Sequence, residues 1–201
     1  MSKILITTSL LTFFAMINLN AQLEVSVGGG LNISSVKIDN ADIFNPDSRN
    51  GYYISVMPKI SLNDNLKLNI EGQYSKEGFN YRDGTIDNER SITYFRFIPQ
   101  IEFTLLNIIG IYSGINVGVK TSEKFKINGE TVTGVMDAIK SNDFSIPFGV
   151  RAYISNFYAN VSYNVGVSDI SDINFTNDDG SIIEDAKIQN SHIQIGLGYT
   201  F

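Results

Sequence analysis

The chain has 201 residues, a formal charge of −6 and a hydrophobic content of 43%, ordinary for one folded domain and too polar for a bundle of membrane helices. No five-residue window holds more than two Lys or Arg, so a nucleic-acid partner has no electrostatic footprint here. Cysteine is absent, which excludes a disulfide framework and lipid attachment through a cysteine.

In chain order, the first segment has the layout of a secretory signal. Lys3 gives a positive start, Ile4 to Ile17 form an apolar stretch, and Ala21 is the small residue before a cut ahead of Gln22. The stretch is fourteen residues long, short of the ~20 a spanning helix requires. Residues 1–21 are therefore expected to be a cleaved signal peptide and 22–201 one exported domain.

The rest of the chain alternates with period two, eight times over. In the first segment Leu23, Val25, Val27, Leu31 and Ile33 oppose Glu24, Ser26, Gly28, Gly30 and Asn32. The second (Tyr52 to Leu62), third (Leu66 to about Phe79) and fourth (Ile92 to Phe103) repeat the pattern, as do segments from Ile109, Asp143, Phe157 and His192 onward. Connections after the second, fourth and sixth segments are tiny: Asn63-Asp64-Asn65, Leu105-Leu106-Asn107 and Ser155-Asn156. Those after the first, third, fifth and seventh are long and polar (37–50, 80–90, 121–142 and 168–189). Short turns at one end and long loops at the other are the mark of an outer-membrane barrel.

Alternation alone would also suit a soluble sandwich or a lipocalin-like barrel, so the chemistry of the two faces decides. One face is apolar, with aromatics toward the strand ends (Tyr52, Phe95, Phe103, Phe144, Phe157, Tyr199, Phe201); the other carries Glu24, Lys59, Lys67, Glu71, Arg96, Glu102, Lys120 and Arg151. Nine glycines share that polar face, as a narrow lumen packed with long side chains requires. The expected fold is all-β: an eight-stranded antiparallel transmembrane up-and-down barrel with short periplasmic turns and long external loops, located in the outer membrane.

A two-residue hairpin turn at Asp83-Gly84 would set Glu71 opposite Arg96 as a lumen salt bridge plugging the barrel. Pro58, Pro99 and Pro147 fall inside strands of a closed barrel, where each removes a ladder hydrogen bond; bulges are expected there, with a possible one-residue change of face.

The end of the chain, Gln194-Ile195-Gly196-Leu197-Gly198-Tyr199-Thr200-Phe201, resembles the C-terminal signal that outer-membrane insertion machinery reads, with Gln194, Gly196, Tyr199 and Phe201 at its marked positions. Ser162 to Ile170 is similar to strand seven of the small PorT-like barrels of Bacteroidetes-type outer membranes. Tyr94 to Pro99 resembles that family's strand four with one extra residue before the proline, and Leu23 to Ile33 its glycine-rich first strand. The resemblance covers Gln22 to Phe201 and implies the barrel type but no single activity; some relatives are accessory to protein secretion and gliding.

Two further features carry less. His192, the only histidine, invites comparison with the His/Ser/Glu set of a lipid-modifying barrel enzyme, but it falls on the lumen face and no acid has a spacing that pairs with it. Asn177-Asp178-Asp179-Gly180 lacks the acid that a calcium loop needs at the position of Phe175. No catalytic, cofactor or metal site is expected. The expected role is structural or accessory, with outer-membrane lipid and the insertion machinery as partners and secretion-apparatus proteins as further candidates. A loop-mediated adhesin and, more remotely, a lipid-modifying enzyme are the alternatives.

Overall fold

The structure is a computed structural model and describes residues 23–39, 46–83, 85–132, 139–172 and 187–201. The expected signal peptide and the Asn177 to Gly180 segment lie outside them. Among the described residues there are ten strands: β1 (Leu23–Asp39), β2 (Asp47–Ser61), β3 (Leu66–Asp83), β4 (Ile86–Leu105), β5 (Ile109–Gly114), β6 (Asn116–Ile127), β7 (Glu130–Val132), β8 (Asn142–Ile154), β9 (Phe157–Gly166) and β10 (Lys187–Thr200). β5 and β6 are one strand interrupted at Ile115, since both pair with β4 on one side and β8 on the other. β7 only extends β6 through a hairpin. Eight strand positions thus form a ring, closed where β1 pairs with β10 from Ser26↔Thr200 to Asp39↔Lys187.

The outward face is apolar over a band. It runs from Leu23 to Ile33 in β1, Phe95 to Leu105 in β4 and Phe144 to Ile154 in β8, eleven residues each, matching the ~9–11 of a transmembrane strand. Leu31, Phe95 and Leu197 are 60%, 55% and 70% exposed, a pattern that is stable only against lipid. The inner edge of the band ends in an aromatic cluster: Tyr199 lies edge-on to both Phe157 and Phe201, each at 5.0 Å. At the outer edge Tyr52 packs beside Tyr74 at 6.4 Å.

The prolines do not produce bulges. Pairing on both sides of β2 keeps one register through Pro58, and the β3–β4 ladder runs unbroken past Pro99. Register shifts occur elsewhere, between Ser48 and Tyr53 and between Thr93 and Tyr94. What Pro99 and Pro147 do is border the interruption between β5 and β6, because their register partners are Ile115 and Gly114. Two missing amide donors there open the ladder without moving any side chain to the other face, and the Ile115 amide still donates to the Pro99 carbonyl at 3.1 Å.

Two of the expected long loops are largely sheet. Past Tyr74↔Phe95, the β3–β4 ladder continues for nine further pairs to Asp83↔Ile86. β6 runs on to Ile127 and turns into β7 at Asn128-Gly129, with φ of 50° and 86°, the left-handed values that an Asn-Gly hairpin turn supplies.

Candidate functional site

The lumen gathers charged side chains away from water, and it is built in layers. Period-two alternation sends Lys59, Glu71, Gln73, Arg96, Glu102, Arg151, His192 and Gln194 inward. Glycines make the room: an added Cβ at Gly149 would lie 2.2 Å from the Tyr112 ring, at Gly198 2.2 Å from Tyr158, at Gly196 2.1 Å from the Tyr53 hydroxyl and at Gly118 2.7 Å from Arg96.

Arg151 organises the inner layer. Its guanidinium donates to Glu102 at 2.5 Å and Gln100 at 2.8 Å, stacks 3.8 Å over the Tyr112 ring, and lies 3.8 Å from Glu71. Glu102 also accepts from Asn69 and from the Tyr153 hydroxyl. Above it, Gln73 and Gln194 exchange amide hydrogen bonds at 2.9 and 3.4 Å.

The next layer is centred on Arg96. It grips Glu77 through Nε and Nη2, each at 2.7 Å, and donates to Asp143 at 2.6 Å and Asn116 at 3.1 Å. All three charged side chains are fully buried. Asn190 donates to both carboxylates and Ser75 to Glu77. A dry fork of this kind is strong only because nearly every lone pair is met.

The expected pair is therefore corrected. Glu71 and Arg96 both face the lumen, but the β3–β4 hairpin closes two residues later in register than a fold-back at Asp83-Gly84, so Arg96 faces Gln73 and Glu71 faces Ile98. Arg96 pairs instead with Glu77 and Asp143, while Glu71 accepts from Gln100 at 2.9 Å and Gln73 at 3.3 Å. Glu77 could have been found by carrying the Glu71, Gln73, Ser75 series one step further, and Asp143 by starting the Ser145 series one step earlier.

Of the terminal-signal residues, Gln194 and Gly196 face the lumen, whereas Tyr199 and Phe201 face lipid at the inner rim. His192 is buried, with Nδ1 3.7 Å from Glu77. The neighbouring Ser191 points to the opposite face and accepts from the Gly166 amide, so the two do not form a hydrolytic pair.

Outside the membrane band the lumen ends in an apolar cap. Val36, Phe79, Ile92, Tyr94 and Ile188 from the wall pack with Ile139 and Ile170 from the connecting segments. The cap segments are tied by an Ile139↔Ser171 bridge and by Lys140 to Asp169 at 2.6 Å. Partial burial pushes the Asp169 carboxyl up, but the bond from Lys140 and those from the Ser171 and Ile188 amides outweigh it and hold it below its ordinary value.

A closed eight-strand ring, apolar toward lipid and filled with ion pairs, defines a small transmembrane barrel of the outer-membrane class. The chain belongs to the outer membrane protein β-barrel domain family, whose model matches residues 6–201. Among curated proteins no sequence matches it. Solved structures of small outer-membrane proteins are similar to it. The attachment invasion locus protein Ail of Yersinia pestis, in complex with the heparin analogue sucrose octasulfate, is 17% identical with a TM-score of 0.51, over 90% of this chain and 99% of that one. Neisserial surface protein A is 12% identical with a TM-score of 0.47, over 91% and 100%. OprG from Pseudomonas aeruginosa is 11% identical with a TM-score of 0.44, over 90% and 97%.

Proposed function

We propose that this barrel is a non-conducting, non-catalytic anchor whose working surface is the wall it raises outside the membrane. The observation that carries this is the external zone with its own apolar core: β3 and β4 stay paired for nine positions past the lipid band, around Phe79 and Ile92. A barrel that only had to sit in the bilayer could turn back at Tyr74 and Phe95. The packed lumen argues against bulk solute conduction, since Arg96 and Arg151 with their partners occupy it. Surface binding is the role such a platform suits, and its outward face carries Lys76 and Lys124 beside hydroxyl residues. A sulfated glycan is thus a sensible first probe. The test replaces 78–91 by a two-residue turn. The truncated barrel should still show heat-modifiable migration on gels, while cells bearing it lose binding to immobilised glycan or protein. Retained binding would remove this reading.

A second reading follows from the PorT-like segment Ser162 to Ile170, which supports an accessory role in protein secretion. Deletion of the gene would then abolish export of secreted proteins, and intact export would dispose of it. For delivery, we infer that a signal peptide at 1–21 is removed on export and that Tyr199 and Phe201, with Gln194 and Gly196, are read by the insertion machinery. Phe201→Ala should lower assembly in cells yet leave refolding in detergent intact.

A further inference from the structure

The inner end of the lumen differs from the layers above it in holding a buried cation that no ion pair ties down. Lys59 is 1% exposed. Its Nζ lies 3.3 Å from the Thr200 hydroxyl and 4.9 and 4.8 Å from the Tyr153 and Tyr158 ring centres. Among the described residues no carboxylate forms an ion pair with it. Ring faces offset part of the cost of burying an ammonium, but a buried ammonium that no carboxylate contacts directly remains expensive. Beside it a cleft of about 260 Å³ opens at the short-turn end.

That cleft is also lined by Lys67, Thr104, Thr200 and Phe201. Thr104 is 2% exposed and its buried hydroxyl has no hydrogen-bond partner, which buried polar groups rarely tolerate. The lining carboxylate, Glu24, is already engaged by Lys67 at 3.6 Å. Lys59 thus keeps ammonium donors that no ion pair occupies, and Thr104 adds a hydroxyl to spare.

We propose that this cleft binds a phosphate group. Ammonium point charges and a free hydroxyl on one cleft suit a tetrahedral oxyanion approached from several sides. Phe201 lines the same cleft and is 74% exposed on the lipid face, so the mouth sits at the level of the inner headgroups. The group is carried by a phospholipid headgroup of that leaflet or by a soluble phosphate ester.

The test uses the full barrel in nonionic detergent, titrated with inorganic phosphate and with glycerol phosphate, and follows the NMR signal of the Lys59 ε-methylene. A saturable shift that chloride at equal ionic strength does not reproduce is expected. Thr104→Val, a near-isosteric change that keeps the fold, should weaken binding roughly threefold to tenfold, the loss of one charge-assisted hydrogen bond. Lys59→Met should weaken it more. In nanodiscs, a Lys59 signal already shifted with phosphatidylglycerol, and unshifted with an uncharged glycolipid, would identify the lipid as the source; response to soluble phosphate alone would identify the ester. No saturable shift in any condition, with heat-modifiable migration intact, would overturn the proposal, as would an equal response to chloride.

Discussion

Within the membrane, β3 and β4 turn Gln73 and Arg96 to the lumen and Tyr74 and Phe95 to lipid; a few residues further out, the same strands turn Phe79 and Ile92 inward and Lys76 outward. The side-chain period does not change between the two zones. The solvent outside does, and apolar residues move to the inside there, beside a buried Arg90, Glu123 and Lys120 group. Where lipid surrounds the ring, apolar residues gain nothing by hiding, so the interior is left to ion pairs and amides that must satisfy one another. Where water surrounds it, the hydrophobic effect operates normally and closes an apolar core over the mouth.

The sharpest way to break this contrast is to remove the cation from the membrane zone. Arg96→Met would strand Glu77 and Asp143, both fully buried, and should cost about 4 kcal/mol, within the range for breaking a buried ion pair. Urea unfolding followed by circular dichroism in detergent would measure it. Adding Glu77→Gln and Asp143→Asn should restore much of the loss, because the damage is the uncompensated charge and not the missing volume. In the external zone the matching experiment is Ile92→Ala. Ile92 is 2% exposed within the cap cluster, and a cavity there should cost about 3 kcal/mol. No polar replacement nearby should rescue it. If a second-site charge change did, the two zones would not be energetically separate.

Much of the membrane zone was legible in the sequence, because apolar-out and polar-in alternation is the pattern that lipid imposes. Both faces of strands such as Leu23 to Ile33 and Phe144 to Ile154 could be assigned from parity alone. The external zone was not legible for the same reason. Val36, Phe79, Ile92 and Ile188 are out of phase with the lipid-facing series of their own strands, so the alternation looks broken and the expected strands stop at or short of them. The Glu71–Arg96 expectation failed on one hairpin: Asp83-Gly84 is a good turn pair, yet the ladder runs to Asp83↔Ile86, and two residues of register exchange one lumen partner for another. Asn128-Gly129 is an equally good turn pair, but it sits in a polar stretch with too short a period-two pattern on either side to mark it as a hairpin.

A smaller effect sharpens the account of how the lumen is filled. Gly149→Ala would place a methyl group 2.2 Å from the Tyr112 ring. That ring stacks under Arg151 and its hydroxyl donates to Asn160, so it cannot move freely. Overpacking of about 1–2 kcal/mol is expected, read as a lower unfolding midpoint. An equal loss in Tyr112→Phe/Gly149→Ala would show that the ring, and not its hydroxyl bond, sets the limit.

The smallest effect belongs to the cap. Asp169 holds Lys140 and two backbone amides together, and its carboxyl is depressed below its ordinary value. A depressed acid contributes its stability fully above the unfolded value, about 3.9 for Asp, and loses it as pH falls through the lower folded value. The ties among 139–140, 168–172 and 188 should therefore hold at neutral pH and loosen only under strong acid, whereas Asp169→Asn should loosen them at every pH. Because these groups are partly exposed, global stability should change by less than about 1 kcal/mol. The change should appear as faster hydrogen exchange at the Ser171 and Ile188 amides, with the exchange of Arg151 and Val161 in the membrane zone unaltered. If exchange in the membrane zone rose in parallel, the cap and the ion-paired lumen would form one cooperative unit, and the boundary at the membrane surface would not divide the barrel energetically.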